Sequence, residues 1–148
     1  MPEFRFDQVN IVLADVAAAA RFLRALGAQV PESSPEWTDW ERHHVGFPAV
    51  AEGFHADLDS SPFARYWGGL PEGFNGVVVN LRANDGDAVD DAYDKALGLG
   101  AVGLRAPYDA FFGTRYAVVQ GPGPIVVGIM GPADSTLRGA GPAISDFA

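Results

Sequence analysis

The side chains able to do chemistry in this sequence fall on single faces of short alternating stretches. From Gly53 to Asp59, Phe54, Ala56 and Leu58 share one face of an extended segment, and His55, Asp57 and Asp59 share the other. Parity assigns Phe54 to the core. A histidine beside a carboxylate titrates near neutrality and can serve as a general base, so His55 and Asp57 are the catalytic candidates. The alternative is a hydrogen-bonded anchor with no chemistry. From Phe6 to Leu13 the apolar face is Val9, Ile11 and Leu13, which leaves Gln8, Asn10 and Val12 opposite. From Gly76 to Ala83, Val79, Leu81 and Ala83 oppose Val78, Asn80 and Arg82. Asn10 and Asn80 are anchors for a ligand, or for each other. Arg82 offers a fork of donors suited to a carboxylate or phosphate, unless Asp57 or Asp59 pairs with it. Arg115, beside Tyr116, is a second candidate of that kind. His43 and His44 are adjacent, so in a strand at most one of them joins His55.

Several chemistries lack their residues. The chain has no cysteine, which removes disulfides, thiolate metal sites and thiol nucleophiles. No nucleophile–His–acid grouping and no phosphate loop is present. Gly98-Leu99-Gly100-Ala101-Val102-Gly103 has glycine-rich spacing but follows a helical stretch instead of opening one, so the helix dipole points the wrong way. The net charge is −9 and Lys95 is the only lysine, a balance that repels nucleic acid and anionic membranes. Met1-Pro2-Glu3-Phe4-Arg5 carries no apolar signal core, and no apolar run reaches the roughly 20 residues that span a bilayer. The expected location is the cytoplasm.

The elements that position these residues are read from periodicity. Phe6–Leu13 is a strand, Asp15 is an N-cap, and Val16–Leu26 is a helix closed by Gly27. Trp37–Arg42, Val45–Ala49 and Gly53–Asp59 are the next strands, followed by a short helix in Ser60–Trp67 and a turn-rich linker over Gly68–Gly73. The second half restarts with a strand at Gly76–Ala83, a helix at Ala88–Leu99, and strands at Val102–Ala106, Arg115–Val119 and Ile125–Met130. Beyond Pro132 the composition turns to Ala, Gly and Ser, and a weakly held tail over residues 133–148 is expected.

The two halves match in residues as well as in order. Val9-Asn10-Ile11, Asp15, a helix and Leu26-Gly27-Ala28 correspond to Val79-Asn80-Leu81, Asp85, a helix and Leu99-Gly100-Ala101. The stretches Phe6–Asp15, Gly113–Val119 and Val126–Pro132 resemble the glyoxalase/bleomycin-resistance (vicinal oxygen chelate) superfamily. The likeness covers roughly residues 5 to 132. It departs at the final hairpin, where Gly121-Pro122-Gly123-Pro124 stands in place of the family's Asp-Pro-Asp-Gly.

The resemblance implies an α+β fold of two βαβββ modules, about 5–67 and 76–132, within a domain spanning 1–132. The curved sheets would form a cup with the helices outside. Gln8, Asn10, Trp37, Trp67, Asn80, Arg82, Phe111, Phe112 and Tyr116 would bind a small molecule there. Metal-dependent members carry four ligands at positions that here are Gln8, Asp57, Val78 and Gly128. Two of these lack a side-chain donor, whereas zinc or nickel needs about three strong ligands, so no metal or other cofactor is expected. Three readings follow: metal-independent binding of a small organic molecule, a lyase, isomerase or dioxygenase-type enzyme, or an interaction module with a filled cup. A homodimer that covers open strand edges is also expected.

Overall fold

The computed structural model describes residues 3–31, 40–47 and 54–148. Alternation sets the strands, and each half opens with a strand followed by a helix. Strand β1 (Phe4–Leu13) leads into α1 (Val16–Ala25), whose first turn is capped by Asp15 accepting from the Ala18 amide at 2.9 Å. Strands β2 (His44–Gly46) and β3 (His55–Ser60) follow, then α2 (Ser61–Gly68), capped by Ser60. The second half runs β4 (Gly76–Ala83), α3 (Asp87–Gly98), β5 (Val102–Ala110), β6 (Thr114–Gln120) and β7 (Val126–Met130). The expected helices at both module starts are present, as is the short one before the linker.

All seven strands form one curved, unclosed sheet in the order β2-β3-β1-β4-β7-β6-β5. The modules meet where β1 and β4 run antiparallel, and each of these strands has a parallel neighbour on its other side, β3 and β7. The outer faces match. Val16 and Ala20 of α1 pack on Val45 and Leu58, with Ile11 and Leu13 beside them. Val89 of α3 packs on Ala117, Val119 and Ile129. On the concave side, Phe63, Ala64 and Trp67 of α2 fill one end of the cup against Val12, Val78, Val118 and Val126. Gly69 ends α2 in the left-handed region at φ 64°, and a Cβ there would strike the Leu104 carbonyl, so the linker is pinned to β5.

Three expectations are corrected. Trp40–Arg42 forms a 3₁₀ turn instead of the end of a strand, and Trp37 lies outside the described residues. Phe54 is 40% exposed and is not core, since it lies just ahead of β3 and outside the regular alternation of that strand. Finally, residues 133–148 are strapped down. Asp134 donates its amide to the Gly113 carbonyl at 2.8 Å, and Gly139 donates to Phe111 at 3.1 Å. Phe147 is buried with its ring 5.1 Å from Phe63, 5.4 Å from Trp40 and 5.0 Å from His43. One aromatic anchor decides this, and an averaged composition of small residues hides it.

Phe147→Ala is therefore expected to destabilise the chain by about 3 kcal/mol, the usual cost of removing a buried phenyl ring. Urea unfolding measures it, and an unchanged midpoint would show that the strap is not held.

Candidate functional site

The cup holds a cavity of about 670 Å³ with a polar floor and an aromatic wall. The floor is built from three strands whose even or odd positions face inward together. β1 supplies Gln8 and Asn10, β3 supplies His55, Asp57 and Asp59, and β2 supplies His44. Register enforces the arrangement, because Gln8 lies opposite His55, Asn10 opposite Asp57, and His44 opposite Asp59. Trp40, Phe63, Trp67, Phe111, Phe112 and Tyr116 form the wall, and Gly141 and Pro142 of the C-terminal strap close one side.

One hydrogen-bonded chain runs beneath the floor. The Tyr116 hydroxyl donates to Asn80 Oδ1 at 2.7 Å, and Asn80 Nδ2 donates to Asn10 Oδ1 at 2.6 Å. Asn10 Nδ2 donates to Asp59 Oδ2, and His44 Nδ1 donates to Asp59 Oδ1 at 2.7 Å. Burial holds the Tyr116 hydroxyl well above its usual range, so it stays a neutral donor. His44 is pushed down by burial, but its bond to Asp59 and the charges of Asp59 and Asp57 outweigh this, and its pKa is raised. Its other ring nitrogen is left for the cavity. Gly128 is required beneath this chain, because a Cβ there would collide with Asn80 Oδ1 and the Tyr116 hydroxyl.

Asp57 differs from Asp59. Gln8 Nε2 reaches it only at 3.5 Å, and His55 Nε2 stands 3.7 Å away. Burial pushes its carboxyl up to about 6, with the nearby Asp59 adding to the effect and His44 and His55 opposing it. The group therefore changes charge close to neutral pH.

Sequence reading placed several of these residues in the cavity lining and misplaced others. Gln8, Asn10, His55, Asp57, Trp67, Arg82, Phe111, Phe112 and Tyr116 all line it. Asn80 lies under the floor, fully buried, and bonds Asn10 instead of facing a ligand. Arg82 pairs with neither Asp57 nor Asp59. Its Nε and Nη2 donate to the two Asp7 oxygens at 2.9 and 3.1 Å, and its Nη1 donates to the Gly131 carbonyl at 2.8 Å. A bulge between Phe6 and Gln8 turns Asp7 inward, and period-two parity has no signal for it. Arg115 faces away from the cup and pairs with Asp90 and Asp109. His44, Trp40 and Phe63 also line the cavity. The adjacency of His43 and His44 admits at most one of them to the cup, and it is His44; His43 turns instead to Ser60 Oγ at 2.7 Å.

The superfamily's metal positions fit poorly here. Val78 is packed in the apolar cluster, and the space beside Gly128 is taken by Asn80 and Tyr116. The Gln8 amide donates to Asn10 at 3.0 Å, and Asp57 supplies the one carboxylate. Among the described residues, no group of three His, Asp or Glu side chains is arranged to hold a metal ion.

No family model and no curated protein matches the chain. Solved structures do match it. A glyoxalase/bleomycin resistance protein/dioxygenase superfamily member from Vibrio splendidus 12B01 superposes with TM-score 0.52 at 15% identity, covering 87% of this chain and 99% of that one. The chain has the fold of the glyoxalase/bleomycin resistance protein/dioxygenase superfamily. Other proteins of similar structure are named for different activities. Methylmalonyl-CoA epimerase from Mycobacterium tuberculosis matches with TM-score 0.55 at 15% identity, over 88% of this chain and 89% of that one. A protein from Legionella pneumophila described as an NAD-dependent benzaldehyde dehydrogenase matches with TM-score 0.57 at 17% identity, over 84% and 96%. At such identities the glyoxalase-like fold is shared and the chemistry is not assigned by it.

The raised carboxyl of Asp57 has a measurable sign. The folded chain binds this proton more tightly than the unfolded chain, so ionisation between pH 3.8 and about 6 costs stability that is not recovered above that window. Asp57→Asn stays neutral. It is expected to raise the thermal midpoint at pH above about 7 and to have little effect near pH 4. An equal loss at both pH values would show that the fold needs Asp57 as an anion.

Proposed function

We propose that the cup binds one small organic molecule without the help of a metal ion. The observation that carries this is the cavity itself. Its 670 Å³ falls within the roughly 300–1,000 Å³ of small-molecule sites. An aromatic wall opposite a floor of placed polar groups suits a ligand with one apolar and one polar end. Phe111 and Phe112, packed edge to face at 5.3 Å, offer a ring surface, while the more deeply buried Trp67 and Tyr116 back it. Metal independence is supported by the donor set, since one carboxylate and one amide return little of a divalent ion's hydration energy.

A second reading has its own observation. Asp57 titrates at about 6 beside His55, and His44 is oriented by Asp59 with a ring nitrogen toward the cavity. Such groups can move a proton on a bound molecule, as a lyase or isomerase requires. An oxygenase reading would need a metal that these residues do not provide. Among the described residues no helix is long and apolar enough to cross a membrane. We also propose a homodimer: among the described residues the sheet ends in unpaired edges at β2 and β5, and Phe6, Leu99 and Val102 are exposed.

A thermal-shift screen tests the binding. A ligand at a hundred times its Kd adds about 2.7 kcal/mol, which is several degrees for a chain of this size. Phe111→Ala is expected to weaken the shift, whereas chelator is expected to leave the apo midpoint unchanged. A screen of several hundred varied compounds without a shift would count against the proposal. So would elemental analysis showing about one zinc, nickel or iron per chain.

A further inference from the structure

We infer that the ligand of this cup is an organic cation, an amine protonated at neutral pH on an aromatic or apolar body, with its ammonium group seated on Asp57. The inference rests on the proposed binding function and names its ligand class. It follows from sorting the charges that reach the cavity by what already satisfies them.

Arg82, the guanidinium lining the cavity, has its Nε, Nη1 and Nη2 directed at Asp7 and the Gly131 carbonyl. It is therefore committed to the wall and does not offer an anion its fork. Asp59 is likewise satisfied, with one oxygen taken by His44 and the other by Asn10. The amides of the buried chain all donate toward Asp59, so its charge is balanced without a ligand. Asp57 is not balanced. It is 9% exposed, yet among the described residues its nearest side-chain donors are the Gln8 amide at 3.5 Å and the His55 ring at 3.7 Å. An ionised carboxylate offers about four acceptor positions, and burying it short of donors is costly. The group that best supplies the missing donors and the missing charge together is an ammonium ion.

The surroundings point the same way. Phe63 and Trp40 stand edge to face at 5.2 Å and line the cavity with Phe111 and Phe112. Ring faces attract a cation and its alkyl substituents, and they accept an apolar ligand body. A carboxylate or phosphate would meet both Asp57 and Asp59, with Arg82 already engaged. The groups facing Asp57 are His55 and Asp59 from β3, His44 from β2, and the uncharged Gln8 and Asn10 from β1; Arg82 on β4 faces Asp7. Protonation of Asp57 or of His44 disfavours a cation, so its affinity falls as pH drops below neutrality.

The test uses the full chain and three ring bodies: phenylethyl, indol-3-ylethyl and naphthylmethyl. Each is offered as the primary amine, the alcohol and the matching carboxylate, by thermal shift and then calorimetry at neutral pH. The amines are expected to bind about tenfold or more tightly than the alcohols, with the carboxylates weakest. Asp57→Asn should remove the preference for the amine while leaving the alcohols within about twofold. Alcohols or carboxylates binding as well as the amines would overturn the inference and leave the binding function standing. None of the nine compounds binding would overturn the inference; the binding function would then stand or fall on the wider screen. The comparison among ligands on the unaltered chain keeps the test decisive even if the variant does not fold.

Discussion

Two buried asparagines on neighbouring strands hold the two halves of this protein in one register. Asn10 and Asn80 lie on β1 and β4, the strands where the modules meet, and both side chains are buried. A buried amide without partners costs more than most single contacts return. Each therefore depends on the other, on Asp59 at one end and on Tyr116 at the other. A slip of one residue between β1 and β4 would strand all four groups and turn the cavity lining outward. The absence of a side chain at Gly128 belongs to the same constraint, because it makes room for the bond between Asn80 and Tyr116.

What was legible in the sequence follows from period two. The inward set Gln8, Asn10, Val12 and the outward set Val9, Ile11, Leu13 depend only on strand pleat and on an apolar helix waiting on one side. The same holds for β3, β4 and β7, which is why most of the floor was foreseen. The failures lie where parity is broken or irrelevant. The bulge that turns Asp7 inward changes the meaning of Arg82 from a ligand anchor to a paired wall residue. Phe147 is a single ring in a stretch of small residues, and only the hollow between Trp40 and Phe63 gives it value. Arg115 opens a strand whose inward neighbour Tyr116 is buried, so the arginine itself faces α3 and meets Asp90.

Matching the two halves strand by strand shows where the cup is one-sided. Asn10 on β1 lies opposite Asp57 of β3, and Asn80 on β4 lies opposite Gly128 of β7, each in parallel register. Extending the match, His55, Asp57 and Asp59 of the first module stand where the second has Val126, Gly128 and Met130. One set of positions carries charge and the other carries apolar atoms. A pair of identical polar halves would have left four or more carboxylates facing one cavity, each raising the ionisation cost of the rest. The apolar half removes that repulsion, and Met130 and Tyr116 extend the wall on their side. The cost of ionising Asp57 is then confined to one group, on one strand, beside an apolar surface. On the proposed binding function, a molecule with unlike ends then has a single preferred orientation, its polar end toward β3 and its apolar body toward the rings of the wall.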